Sequence, residues 1–253
     1  MKTEILYEDN SILVIRKPAG LAVQSAGIGQ ADVVSELKSH LAKLPGAGRT
    51  GKGEPYLGIV HRLDQPVEGL LVFAKDTKAA AALSKQLTEG ALNKHYYAVL
   101  CGYPDCPEGD LVDYLRKEGN VAVAVTGREQ EFADAKIAAL HYRILEEINA
   151  PSPLALADVT IGTGRFHQIR VQFAHAGFPL FGDTKYGTAV LKEAMPAQKY
   201  RGVALCAYSL ELVHPVSGKK MGFRVVPKNP AFAGFAMEEL KKLTENETGI
   251  SKR

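Results

Sequence analysis

Cysteine is scarce in this chain. The three, Cys101, Cys106 and Cys206, are odd in number and form no CxxC pair, so neither a disulfide framework nor a structural zinc site is indicated, and reduced thiols are expected. Long apolar runs are also missing. Residues 1 to 10 hold no signal-like core, and a run such as Val121 to Val125 is far short of the roughly 20 residues a membrane helix needs. A cytoplasmic protein without a membrane partner is expected. There is no internal repeat or low-complexity tract, and Gly162-Thr163-Gly164 lacks the third glycine of a dinucleotide fingerprint. His167 and His175, eight apart with no carboxylate beside them in sequence, do not make a metal site. Nor does one sign of charge dominate, because the formal net charge is +3, too small to mark a nucleic-acid partner by itself.

What is present begins with size. At 253 residues and 46% hydrophobic content, the chain can bury a large core as a single domain over residues 1–243, followed by a polar tail from 244 to 253. Charge is distributed unevenly: Ile161 to Arg201 carries six basic residues (Arg165, Arg170, Lys185, Lys192, Lys199, Arg201) against Asp183 and Glu193, whereas acids outnumber bases eight to three between Asp105 and Asp134. A basic face near a site and an acidic region elsewhere suit a polyanionic substrate.

Strands are expected near Ile12–Arg16, Leu70–Ala74, His95–Leu100, Val121–Val125, Ile137–Leu145, Ala155–Ile161, Ala204–Val213 and Gly222–Val226. Helices are expected over Asp32–Leu44, Thr77–Glu89 (capped by Asp76 and Gly90), Phe166–Ala176 and Ala231–Leu243. The class is α+β, with a mixed, largely antiparallel sheet and flanking helices. Pro45 to Gly58, with five glycines, reads as a mobile surface loop.

Two segments carry the chemistry. In His61-Arg62-Leu63-Asp64-Gln65-Pro66-Val67-Glu68-Gly69, charged groups precede an apolar strand. Pro66 and Gly69 bracket a turn, so His61, Arg62 and Asp64 should sit at the strand's open end. An ordinary surface ion pair between Arg62 and Asp64 is the plain alternative, and such pairs are worth little. His61 reads as a structural hydrogen-bonding residue rather than a general base. The second segment, Ile161 to Gly177, turns at two glycines into a helix that Gly177 ends. His167 and Arg170 share a face, while Val171 and Ala174 keep the period of a core-facing stripe. Arg170 then lies near the buried side and needs an acceptor; Asp64 is one candidate.

Together the segments resemble the RluA-type pseudouridine synthase family, with its HRLD motif before a glycine and an apolar strand, and its GRxHQIR motif. The likeness extends to Tyr7-Glu8-Asp9-Asn10 and Lys17-Pro18-Ala19-Gly20 (the family's KPxG turn), to Lys94–Val99 (KxYxAxV), to Phe178–Gly187 (HPIxGDxxYG) and to the His214-Pro215 turn, so that it spans roughly residues 5 to 227. Two positions depart from the pattern. Val67-Glu68 stands where the family usually has Thr-Ser, which brings a carboxylate into the Arg62 turn with consequences expected for RNA contacts or for Arg62 pairing. Leu205-Cys206-Ala207 stands where Leu-His-Ala is common. The chain reaches its first expected strand too early to hold the S4-type domain of many relatives, so substrate selection is expected from the catalytic domain itself.

The resemblance implies the pseudouridine synthase fold and isomerisation of uridine in structured RNA, ribosomal or transfer, with no cofactor or metal. A monomer without an obligatory protein partner is expected. Asp64 would be the essential carboxylate, as nucleophile at C1′ or as stabiliser of an elimination intermediate, and Arg170 would pair with it. Tyr96 would offer an aromatic face and a hydroxyl, although a strand tyrosine is more often packing. Arg62, Arg165, His167 and Gln168 are the expected RNA contacts. The target base must leave its stack, and Arg62 could fill the space. A noncatalytic RNA-binding or RNA-folding protein on the same scaffold is the alternative; a hydrolase using Asp64 lacks a suitably placed second carboxylate.

Overall fold

The computed structural model describes residues 1–25, 27, 29–44, 53–126, 134–149, 152–187 and 202–237. In chain order the elements are β1 (Glu4–Glu8), β2 (Ile12–Lys17), α1 (Val33–Leu41), β3 (Gly58–Ile59), β4 (Glu68–Ala74), α2 (Thr77–Thr88), β5 (Asn93–Cys101), β6 (Glu108–Glu118), β7 (Val121–Val125), β8 (Lys136–Ile148), β9 (Leu154–Ile161), α3 (Gln168–His175), β10 (Leu205–Val213) and β11 (Lys220–Arg224), followed by a 3₁₀ turn at Pro230–Phe232. They fall in two compact units. One comprises Met1–Lys94, Ala207–Pro227 and Met237–Arg253; the other comprises His95–Cys206 and Lys228–Ala236.

In the first unit the strands lie in the order β1-β2-β4-β10, with β11 on β10 and β3 on β4. β2 and β4 are antiparallel, and every residue of both is buried. A strand covered on both faces must be apolar throughout, which is why Leu70–Ala74 reads as a continuous run rather than an alternation. Helices α1 and α2 start where short acids can cap them: Asp32 accepts from the Ser35 amide at 2.7 Å, and Asp76 accepts from Ala79 at 2.8 Å.

In the second unit the order is β5-β9-β8-β6-β7, antiparallel at every pairing. Helix α3 packs Val171 against Leu115, Ala122 and Ala138, with Tyr186 at the edge of that cluster. The expected α+β class, with a mixed and largely antiparallel sheet and flanking helices, is what the strands and three helices form.

Several local expectations change. β6 was not anticipated, because its acids hide the pattern; Asp110 lies opposite His141 on β8 and pairs with its ring at 2.9 Å. Helix α3 begins at Gln168 rather than Phe166, since His167 is held at φ +54°, a left-handed conformation that no helix continues. It is not amphipathic: all six residues from Gln168 to Phe173 are buried, polar ones included. Of the expected helix Ala231–Leu243, Pro230–Phe232 form one 3₁₀ turn, and residues 238–253 lie outside the described residues. Most of the glycine-rich loop, residues 45–52, also lies outside them, as do Lys192, Lys199 and Arg201 of the basic stretch.

Candidate active site

The first unit holds Asp64 on a tightly tied turn. Because Lys17 on β2 lies opposite Gly69 on β4, the Lys17–Gly20 turn leaves the sheet beside the turn that enters β4. The two are laced together: the Gly20 amide donates to the Gln65 carbonyl at 2.8 Å, and the Gln65 side-chain amide returns a bond to the Gly20 carbonyl at 3.1 Å. The Val67 amide closes the turn on the Asp64 carbonyl at 3.0 Å. Leu63 and Val67 are buried, whereas Arg62 is exposed and Asp64 half-buried. Alternate residues therefore anchor the turn in the core while the charged ones remain reachable.

Beneath this turn Lys17 is fully buried. Its ammonium donates to the carbonyls of Pro18 (3.0 Å), Leu21 (2.8 Å) and Gln65 (3.1 Å). Burial pushes its pKa down to about 8, while the charges of Asp64 and Glu68 act in the opposite sense. A buried cation thus cross-links both turns and stands in the field of the candidate carboxylate.

His61 has the structural role read from the sequence. Its Nε2 accepts the Val72 amide at 3.2 Å, which fixes the neutral ring with its proton on Nδ1. Burial, aided by the charge of Lys94, pushes its pKa down to about 3. An imidazole neutral throughout the physiological range, with Nε2 occupied, is a tie between motif and strand.

The two departures at 67 and 68 point inward. Glu68 is 3% exposed and pairs with Arg16 at 3.3 Å, while Arg16 also donates to the Val226 carbonyl at 2.6 Å. Gly69 belongs to β4 and does not bracket the turn. At φ +130°, a Cβ there would lie 2.4 Å from the Ala207 oxygen and 2.5 Å from its nitrogen, so the glycine is required by the close approach of β10's backbone.

In the second unit Arg170 is 4% exposed. Its Nε donates to Asp183 Oδ2 at 2.7 Å and its Nη2 to Asp183 Oδ1 at 2.8 Å, a bidentate fork. The guanidinium also lies 5.1 Å from the centroid of Tyr186. The Tyr186 hydroxyl accepts the Ala122 amide at 2.8 Å and meets His167 Nδ1 at 2.5 Å. Gln168 is buried and its amide is used internally: Oε1 accepts from Thr163 (2.7 Å) and the Arg165 amide (3.0 Å), and Nε2 donates to Ala139 (3.0 Å). That clamps the glycine turn to β8. Arg165 is exposed, with Nε on the Ile137 carbonyl at 2.9 Å. Tyr96, on β5 opposite Val159, is 5% exposed.

The structure therefore puts Arg62 and Asp64 on one turn of the first unit. It groups Arg165, His167, Gln168 and Arg170 at the start of α3 in the second, with Tyr96 on β5. Sequence reasoning did not single out Asp183, Lys17 or Tyr186. Each lies inside a quoted motif, the signal that could have found them.

Residues 11–175 match the family model described as RNA pseudouridylate synthase. The chain is 35% identical over 229 residues to the ribosomal large subunit pseudouridine synthase D of Zymomonas mobilis, covering 87% of this chain and 68% of that protein. It is 35% identical over 231 residues to the protein of the same description from Pseudomonas aeruginosa, covering 87% and 67%. In fold it is similar to human RNA pseudouridylate synthase domain containing 4, with a TM-score of 0.68 and 24% identity over 89% of each chain. The family match takes in the Asp64 turn and the start of α3 together, in one span exceeding half of the sequence, and on that ground the chain belongs to the RNA pseudouridylate synthase family.

Proposed function

We infer that this protein isomerises uridine in RNA to pseudouridine, with Asp64 as the essential carboxylate and RNA of the large ribosomal subunit as the substrate. The observation that carries the role of Asp64 is its placement: a half-buried carboxylate on a turn tied to its neighbour by backbone bonds and by the buried Lys17 ammonium. A turn so restrained can hold a carboxylate against a reacting sugar at little entropic cost. The substrate assignment is supported by the descriptions of the relatives from Zymomonas mobilis and Pseudomonas aeruginosa. No finding favours the noncatalytic alternative.

In the reaction the N1–C1′ bond of uridine breaks, the base turns, C5 bonds to C1′, the C5 proton is lost and N1 gains a proton. Asp64 serves by attack at C1′ or by stabilising charge there. Arg170, held by Asp183, and Tyr96 are the further residues we assign to this chemistry. Arg62, Arg165 and His167 are assigned to RNA, and the enzyme to the cytoplasm. The test is a pseudouridine map of total RNA from cells lacking the protein and restored with the native chain or Asp64→Asn. A large-subunit site that returns only with the native chain, while purified Asp64→Asn still binds that RNA, is expected. A site restored equally by both proteins would refute the role of Asp64.

A further inference from the structure

Phe166 is the one large apolar side chain in the GRFHQIR segment left in solvent, at 41% exposure. Its ring is not loose. It stacks on the His167 imidazole with centroids 3.8 Å apart and planes 21° from parallel. His167 is itself fixed by the 2.5 Å contact to Tyr186, whose hydroxyl is held by the β7 backbone at Ala122. The left-handed conformation of His167 sets this arrangement, and among the described residues only one other non-glycine residue, Met237, has positive φ. Such strain is kept where the surroundings over-determine it, and it concentrates at functional sites.

A cation covers the ring. Lys117 Nζ lies over it, 5.0 Å from the centroid. Arg165 is adjacent in sequence and anchored through Nε to Ile137, while Lys185 is tied to Asn120 at the β6–β7 tip at 2.8 Å. A preset aromatic face with an ammonium over it has the chemistry of a stacking platform for a nucleobase and its phosphate. A solvated ammonium over phenylalanine contributes about 0.5–1 kcal/mol, less than the ~1–3 kcal/mol of a stacked base. An incoming base therefore displaces Lys117 from the ring and leaves its charge free for the backbone.

The geometry points to Phe166, backed by His167 and covered by Lys117, as a subsite that stacks an unpaired base of the RNA substrate other than the reacting uridine. This rests on the reading of the protein as an RNA-modifying enzyme and adds a feature of its substrate: an unpaired nucleotide besides the target.

The first measurement is steady-state tritium release from large-subunit ribosomal RNA transcribed with 5-tritiated uridine. Phe166→Ala is expected to raise KM by roughly 5- to 150-fold, the loss of one stacked base, with kcat unchanged and Phe166→Tyr close to native. An equal KM, or a fall in kcat alone, overturns the subsite; an inactive native protein would instead refute the proposed substrate. The second measurement needs no turnover. The chain contains no tryptophan, so Phe166→Trp supplies a single indole, excited selectively at the red edge where the tyrosines do not absorb. A single-stranded 12-nucleotide RNA should quench it and an abasic chain of equal length should not. Quenching by both, or by neither, overturns the proposal even if the transcript is not a substrate.

Discussion

Breaking the Arg170–Asp183 fork should reveal strong coupling rather than two independent losses. Both side chains are almost fully buried, at 5% and 1% exposure, and two charge-assisted bonds of 2.7 and 2.8 Å join them. Asp183→Asn leaves a guanidinium facing a neutral amide in low dielectric, which costs about 3–5 kcal/mol. Arg170→Met leaves the Asp183 carboxylate with the Lys185 amide at 3.1 Å among its donors, and a cost of the same order follows. Once either partner is gone, the fork is already lost, so removing the other costs less than it does in the native protein. The double variant Arg170→Met/Asp183→Asn should therefore be no less stable than the worse single variant, which gives a coupling energy of about 3 kcal/mol. Urea unfolding of all four proteins at pH 7, with a common m-value, measures it. Losses that add to within about 0.5 kcal/mol would show that the fork is not a unit and would refute the reasoning.

Two further outcomes are expected. The folded pKa of His61 near 3 lies below its ordinary 6.5, so the unfolded chain takes up the proton first and stability falls as pH drops from 6.5 towards 3. The native chain should lose up to about 5 kcal/mol more than His61→Gln over that window, and parallel stability curves would contradict this. Gly69→Ala forces a Cβ onto the Ala207 backbone at 2.4 Å, and with its positive φ it should cost more than about 3 kcal/mol. A melting temperature within 2 °C of native, roughly 1 kcal/mol or less, would show that β4 and β10 can part freely.

Much of the first unit was legible because its signals are local. The apolar run Leu70–Ala74, the cap Asp76, and the polar turn ahead of β4 each follow from neighbours in sequence. Glu68 was misplaced because nothing nearby announces Arg16, 52 residues earlier, as its partner. Gly69 seemed a turn residue since Ala207's backbone, which demands it, is remote in sequence. In the second unit β6 was hidden: strands on both sides supply its ladder, so its acids need not be replaced by apolar residues. Gln168 was read as an RNA contact and Gln172 was given no role because Ala139 and Leu111, which hold them, come from other segments, whereas Arg170, read as near the buried side, finds its acceptor in Asp183, 13 residues on.

The enclosure of α3 has a kinetic meaning. Eight residues are too few for a helix to persist alone in water, and six of them in succession are sealed on every side. Gln172 has no exposed surface, and its amide nitrogen bonds Leu111, Asp113 and Ala138. No partial opening can release this helix while its surroundings persist. The amides of Val171, Gln172 and Phe173 should exchange with deuterium only at the rate at which the whole second unit opens, as a single cooperative block. Arg170 and the base of His167 then share one lifetime: they are assembled together when the unit folds, and they do not flicker separately between catalytic cycles.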